Sequence, residues 1–140
     1  MIVIDTNVIS EFFKTEPEVQ IMAWLSSQPL MNLFVSTPTL MELWSGAFRL
    51  PEGRKRQSLE LKIRHHADVV FSGRVLELNM QAAKIGGELM ARQFLSGSQP
   101  NAVDCQIAAI AISKGFKVAT RNLKHFQHEG LVVINPWEMG

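Results

Sequence analysis

The stretch that decides the fold is Ile2-Val3-Ile4-Asp5-Thr6-Asn7. Three apolar residues stop abruptly at a carboxylate, a hydroxyl and an amide, a pattern typical of a short buried strand that ends at a polar edge. In open α/β sheets, ligands bind outside the carboxyl ends of the strands. Asp5 is therefore expected to stand where chemistry takes place.

The rest of the chain alternates between strand and helix patterns. Strands are predicted at 2–5, 33–36, 74–78, 116–120 and 131–134, and helices at 7–14, 17–27, 37–49, 54–70, 80–96 and 102–114. Such alternation implies a parallel sheet covered on both faces. We therefore predict one domain spanning residues 1–140, a three-layer α/β/α sandwich with a central parallel sheet of four to five strands.

Composition excludes several classes of protein. No stretch has eighteen uncharged apolar residues, so nothing is expected to span a membrane, and the N-terminus lacks the basic region of an export signal. The single cysteine, Cys105, cannot form an internal disulfide. We therefore expect a cytoplasmic protein without a membrane partner.

Positive charge is concentrated in the segment 54–66, although the formal net charge is only +1. The segment is either an electrostatic footprint for phosphate backbones or the solvated face of a helix. The sequence leaves both interpretations open.

Two of the three aspartates lie where burial is expected. Asp5 ends the first strand, and Asp104 enters the strongly apolar segment 102–112. Each also has a structural alternative, because Asp5 could cap the next helix and Asp104 could act as a capping-box partner or complement the helix dipole.

Glu42 is the third candidate acid. On the predicted helix 37–49 its neighbours at helical spacing include Ser45, Gly46 and Arg49, so a ligand can approach the carboxylate. The alternative is an ordinary exposed glutamate. If the three carboxylates converge, each pair at about 4 Å would repel by roughly 4 kcal/mol at an effective dielectric near 20. Oxygen ligands without nearby His or Cys favour a hard cation, Mg²⁺ or Mn²⁺, and metal-assisted phosphodiester hydrolysis.

The order of the motifs resembles that of the PIN-domain ribonucleases. The resemblance covers the whole chain and is carried by four segments: Ile4-Asp5-Thr6-Asn7-Val8-Ile9-Ser10, Ser36-Thr37-Pro38-Thr39-Leu40-Met41-Glu42-Leu43, Asp104-Cys105-Gln106-Ile107-Ala108-Ala109 and Val118-Ala119-Thr120-Arg121-Asn122. The closing Val133-Ile134-Asn135-Pro136-Trp137 is similar to the FitB-like branch of the VapC toxins.

The resemblance implies an endoribonuclease that depends on Mg²⁺ or Mn²⁺. Asp5 and Asp104 would be the primary metal ligands, and Glu42 would bind the metal or orient its water. Thr6 and Asn7 would hydrogen-bond the carboxylates, the metal waters or the scissile phosphate. The implied partners are an RNA substrate, a cognate VapB-like antitoxin and a second copy of the chain in a homodimer.

The motif Val118-Ala119-Thr120-Arg121-Asn122 departs from the family pattern in one residue. Many members carry a fourth acid where this chain has Asn122. An amide brings no charge, so a second metal site should be weakened more than the first. Thr120 and Arg121 belong to the same edge, and Arg121 could pair a phosphate or form a salt bridge to the acidic cluster.

His125 and His128 lack a fitting third ligand and are expected in a surface loop without a metal. Two other functions remain to be weighed. One is a weakly catalytic PIN module that mainly binds an antitoxin within a DNA-binding repressor, which Asn122 favours. The other is a phosphotransferase with Asp5 as nucleophile, which Asn7 opposes because such enzymes place a second Asp there.

Overall fold

A computed structural model describes residues 1–139, so Gly140, the last residue of the predicted domain, lies outside the described residues. The strands are β1 (Ile2–Ile4), β2 (Leu33–Ser36), β3 (Val75–Leu76), β4 (Lys117–Ala119) and β5 (Val133–Ile134). The helices are α1 (Thr6–Ile9), α2 (Val19–Ser27), α3 (Thr37–Phe48), α4 (Arg54–His65), α5 (Met80–Leu95) and α6 (Ala102–Lys114).

The five strands form one parallel sheet in the order β3-β2-β1-β4-β5. The chain first builds outward from β1 to β3 and then returns to the other side of β1 to add β4 and β5. The strand order therefore reverses between β1 and β4, the point at which open α/β sheets form a crevice at their carboxyl ends.

Two apolar cores cover the two faces of the sheet, as the alternation of side chains along a strand requires. Ile2 and Ile4 of β1 pack into the core beneath α1–α4, whereas Val3 packs into the core beneath α5 and α6. The predicted three-layer α/β/α sandwich is confirmed, with five strands in its sheet.

Helix α6 is buried along most of its length and lies against α5. A Cβ atom built on Gly86 of α5 would lie 3.5 Å from Cβ of Ala109, whereas one on Gly87 would meet nothing within 4 Å. Close helix packing therefore accounts for Gly86 and not for Gly87. Asn101 caps α6 and Gly115 ends it with a φ of 70°, as the sequence predicts.

Several predicted boundaries are wrong. The predicted helix 7–14 is α1 followed by a 3₁₀ turn at Ser10–Phe13. The predicted helix 37–49 begins at Thr37, where the hydroxyl of Ser36 caps it by accepting the N–H of Thr39, and ends at Phe48. The predicted helix 54–70 is α-helical only to His65 and continues as a π-helical turn at His66–Val70.

Arg74 ties that turn to the sheet. Its buried guanidinium donates to the carbonyls of Leu30 at 2.7 Å and Leu33 at 2.6 Å, and also to the carbonyl of Val70. The side chain lies 5.1 Å from the ring centroid of Phe71. One charged side chain thus donates to three carbonyls, one of which, that of Leu30, also accepts the N–H of Leu33.

Candidate active site at the carboxyl edge of the sheet

Asp5 lies at the switch point between β1 and β4. Its N–H donates to the carbonyl of Ala119 at 2.9 Å, which continues the β1–β4 ladder by one residue. Its Oδ1 accepts the N–H of Thr6 at 2.7 Å, so Asp5 also caps α1. Its Oδ2 accepts the hydroxyl of Thr120 at 2.7 Å and the amide of Asn7 at 3.3 Å. Asp5 therefore caps α1 and also lies at the carboxyl edge of the sheet. Both of its carboxylate oxygens accept hydrogen bonds before any ligand binds.

The environment of Asp5 disfavours its ionised form. Burial is the largest of the effects that raise the pKa of its carboxyl to about 6; the negative charges of Asp104 and Glu42 act in the same direction, and the hydrogen bonds from Thr120 and Thr6 oppose the rise. Only 2% of Asp5 is exposed. Both other predicted acids therefore lie near enough to Asp5 to disfavour its charged form.

Glu42 reaches this crevice from α3. Its Oε1 accepts the hydroxyl of Thr6 at 2.5 Å, and Thr6 Oγ1 lies 3.3 Å from the hydroxyl of Thr39. Thr6 therefore links two acids, because its N–H bonds Asp5 and its hydroxyl bonds Glu42. Glu42 is exposed and opens onto a groove whose walls include the predicted Ser45, Gly46 and Arg49.

Asp104 occupies the first turn of α6 and is 7% exposed. Its N–H donates to Asn101 Oδ1 at 3.1 Å, and its own Oδ2 lies 2.6 Å from His125 Nδ1. Burial raises the pKa of the Asp104 carboxyl, and the contact with His125 opposes that shift. The carboxylate bonds a histidine instead of the helix cap, so the capping-box alternative is wrong.

His125 is the site residue that sequence reasoning missed. It lies in a 3₁₀ turn at Leu123–Phe126 and is exposed, as expected for a surface loop, yet it contacts Asp104. The only indication in the sequence that His125 lies near the site is its position five residues after Thr120, in the segment that follows the carboxyl end of β4. Burial lowers the pKa of His128, whose Nε2 is buried without a hydrogen-bond partner among residues 1–139.

Arg121 and Asn122 contribute backbone groups to the site. The N–H of Arg121 lies 3.3 Å from Asn7 Oδ1, and the N–H of Asn122 donates to Thr120 Oγ1 at 3.0 Å. The guanidinium of Arg121 lies 3.9 Å from Glu18 and 5.1 Å from the ring centroid of Trp137. The salt bridge from Arg121 to the acidic cluster, one of the two alternatives for this residue, is therefore wrong, and the side chain of Asn122 is exposed.

The donor set fits a hard divalent cation. Its charged members are carboxylates, and within residues 1–139 neither Asp5 nor Glu42 has a salt-bridge partner to offset its charge. Among the described residues, no three His, Cys, Asp or Glu side chains are placed so that together they could hold a metal ion. An open arrangement suits Mg²⁺, which is usually held by one or two carboxylates and keeps several waters.

Comparison with known proteins agrees with this geometry. The model of the PIN domain family matches residues 2–129. The plasmid stability protein StbB of Pseudomonas syringae pv. tomato is 41% identical over 138 residues, and the VapC ribonuclease Y4jK of Sinorhizobium fredii is 39% identical, with 99% of each chain covered in both alignments. The crystal structure of FitAcB from Neisseria gonorrhoeae matches with a TM-score of 0.90 and 33% identity, covering 99% of this chain and 100% of that one.

None of the helices in residues 1–139 combines the length and apolar character needed to cross a membrane. The carboxylates gathered at the switch point of a five-stranded parallel sheet, the family match over most of the chain and the full-length relatives lead to one conclusion. This chain belongs to the PIN-domain family.

Proposed function

We propose that this protein is an endoribonuclease that depends on Mg²⁺ or Mn²⁺ and serves as the toxin of a VapBC-type toxin–antitoxin pair. The observation that carries the proposal is the buried Asp5, held by three hydrogen-bond donors and facing the charges of Asp104 and Glu42. A buried carboxylate with raised pKa beside two further acids is costly for folding, and such costs are typical of catalytic sites. The VapC ribonuclease among the relatives supports the same activity.

Each acid has a defined task in this proposal. Asp5 and Asp104 are the primary ligands of the cation, and Glu42 binds it or orients its water. A bound divalent cation lowers the pKa of a coordinated water and stabilises the charge that develops on the phosphodiester. Thr6 keeps Glu42 in place through its hydroxyl, at 2.5 Å.

The remaining site residues hold the acids and the substrate. Thr120 and Asn7 fix Asp5 Oδ2, which keeps the ligand geometry in place before substrate arrives. The amide of Asn7 also receives the N–H of Arg121 and so joins the ends of β1 and β4. In this proposal Arg121 and Asn122 shape the turn over the site, and the exposed Asn122 amide faces the approaching RNA.

The proposed partners are an antitoxin and a second copy of this chain. An apolar groove of about 710 Å³ between α3 and α4 supports partner binding, since it includes Trp44 and the exposed Met41 and Phe48. Exposed apolar side chains gathered in a groove are typical of surfaces that receive a helix.

The test is cleavage of a small-RNA pool by wild type, Asp5→Asn and Asp68→Asn, with Mg²⁺, with Mn²⁺ and with EDTA. Asp68 is an exposed aspartate outside the crevice, so Asp68→Asn is the matched control. We expect cleavage by wild type and by Asp68→Asn that disappears in EDTA and in Asp5→Asn. Cleavage that survives in Asp5→Asn would contradict the proposal.

A second function, an antitoxin-binding module of a DNA-binding repressor with weak catalysis, is favoured by two observations. Asn122 brings no charge where the family resemblance implies a fourth acid, and no three acidic, histidine or cysteine side chains in the described part of the chain are placed to hold a metal ion together. It predicts no cleavage by folded wild type with either metal. A short reading frame for an antitoxin directly upstream of the gene fits both functions.

A further inference from the structure

A second groove lies beside Asp104. The end of α5, the loop 96–101 and the turn Leu123–Phe126 enclose a cavity of about 430 Å³, which we name the amide groove. Its lining consists of three glutamines, one asparagine, two serines, one lysine and one histidine. Such a volume is within the range of small-ligand pockets.

The amide groove is connected to the acidic crevice through two residues. His125 lines the groove and its Nδ1 lies 2.6 Å from Asp104 Oδ2. Asn101 also lines the groove and caps α6 three residues before Asp104. A molecule held in this groove therefore lies next to one of the proposed metal ligands.

The chemistry of the amide groove favours an anionic, hydrogen-bonding ligand. Its lining contains no carboxylate, and Lys124 supplies one positive charge. The side-chain oxygen of Asn101 accepts the N–H of Asp104, and that of Gln93 accepts the thiol of Cys105 at 3.5 Å. In both residues the side-chain oxygen already accepts a hydrogen bond from the protein, so the amide NH₂ group is the part that can donate to a ligand.

We propose that the amide groove binds one nucleotide of single-stranded RNA beside the scissile phosphate. Lys124 contacts the phosphate, and the side-chain amides bond the edge of an unstacked base, which is how single-stranded RNA is commonly read. The inference rests on the proposed ribonuclease function and adds to it the part of the surface that selects the nucleotide next to the cut.

The first test measures RNA affinity in EDTA, so that binding is separated from cleavage. The probe is a fluorescent single-stranded RNA 20-mer of random sequence, titrated against wild type, Lys124→Ala and Lys117→Ala at several salt concentrations. Lys117 is an exposed lysine at the amino end of β4, the edge of the sheet opposite the site, and provides the matched control.

We expect Lys124→Ala to weaken binding several-fold and to reduce the slope of log affinity against log salt by about 0.7, the value for one single-strand phosphate contact. Lys117→Ala should leave the slope unchanged, and Lys124→Arg should restore it. Equal slopes for Lys124→Ala and Lys117→Ala would overturn the proposal.

The second test examines base selection with the metal present. Gln127→Ala, which removes an amide from the groove wall, should change the nucleotide distribution beside the cleavage sites of an RNA pool. An unchanged distribution would overturn the base-reading role. A further experiment uses hexaglutamate peptide as an anionic competitor of the RNA. If Lys124→Ala lowers the affinity for the peptide and for the RNA by the same factor, the groove is a non-selective anion site and the proposal is contradicted.

The outcomes separate this inference from the function on which it rests. If wild type cleaves RNA and Lys124→Ala binds RNA with the same affinity and salt dependence as Lys117→Ala, only the role of the amide groove is refuted. Wild type that neither binds nor cleaves RNA would refute both.

Discussion

Replacing Asp5 by asparagine should stabilise the protein at neutral pH while abolishing its activity. The pKa of Asp5 rises from 3.8 to about 6 on folding, chiefly because the carboxyl is buried. A folded-state pKa above the unfolded value means that the folded protein holds a proton that the unfolded chain has lost. The contribution of Asp5 to stability is therefore fully present below pH 4 and is lost as pH rises through about 6.

The magnitude follows from the size of the shift. About two pKa units at 1.36 kcal/mol each correspond to a cost of about 3 kcal/mol for ionising Asp5 in the folded protein. Asparagine removes this cost and keeps the acceptor for the N–H of Thr6, but it loses the bonds from the Thr120 hydroxyl and the Asn7 amide, worth about 1 kcal/mol each. The expected gain is about 1 kcal/mol at pH 8, or roughly 3 °C in Tm.

Urea unfolding in EDTA at pH 4, 6 and 8 measures this effect for wild type, Asp5→Asn and the exposed control Asp68→Asn. At pH 4 the gain of Asp5→Asn should turn into a loss of about 1 kcal/mol, because the ionisation cost is nearly absent there and the missing hydrogen bonds remain. The control should follow wild type throughout. Millimolar Mg²⁺ or Mn²⁺ should stabilise wild type and not Asp5→Asn, since binding to the folded state adds stability. A variant less stable than wild type at pH 8 in EDTA would refute the reasoning, because the carboxylate would then be a net stabilising group.

Three further substitutions have defined expectations. Asn122→Asp should raise the affinity for Mn²⁺ in titration calorimetry by adding a charge beside the acids, and unchanged affinity would show that this position does not reach the metal. Arg74→Met removes the guanidinium that donates to the carbonyls of Leu30, Leu33 and Val70 and should cost roughly 2–4 kcal/mol in urea unfolding, whereas a loss below 1 kcal/mol would mean that water replaces it. Trp137→Phe deletes the indole N–H that donates to Glu18 at 2.9 Å and should cost about 1 kcal/mol with RNA cleavage retained; a Tm equal to that of wild type would show that this bond adds nothing.

The buried interior could be predicted because its signals are local. The bounds of β2 (33–36) and α6 (102–114) follow from apolar runs, a capping asparagine and a terminal glycine, all within a few residues of one another. The edge strands β3 and β5 are shorter than the predicted strands 74–78 and 131–134, since each has a neighbour on one side only. The hydrophobic pattern of the sequence shows which residues are apolar, but it does not show where backbone pairing between neighbouring strands ends.

The acids of the site could be named from the sequence, and their partners could not. Asp104 is visible as a carboxylate entering an apolar helix, but its contact with His125 joins residues 21 positions apart. Arg121 illustrates the same limit, because a strand-end arginine suggests a phosphate or an acid at the site. Its guanidinium instead lies near Glu18 and Trp137, which only the packing of the C-terminal segment brings together.

The sequence by itself determined the alternation of strands and helices and the buried strand that ends at Asp5. It also identified three acids whose positions in the chain predict the carboxyl edge of the sheet. These follow from periodicity and from the cost of placing charge beside apolar residues, which are properties of neighbouring positions. The tertiary structure decided which groups meet: Thr120 bonds Asp5, Thr6 bonds Glu42 and His125 bonds Asp104. The contact between Thr120 and Asp5 depends on the reversal of strand order between β1 and β4, because it brings the carboxyl ends of two strands far apart in the chain side by side.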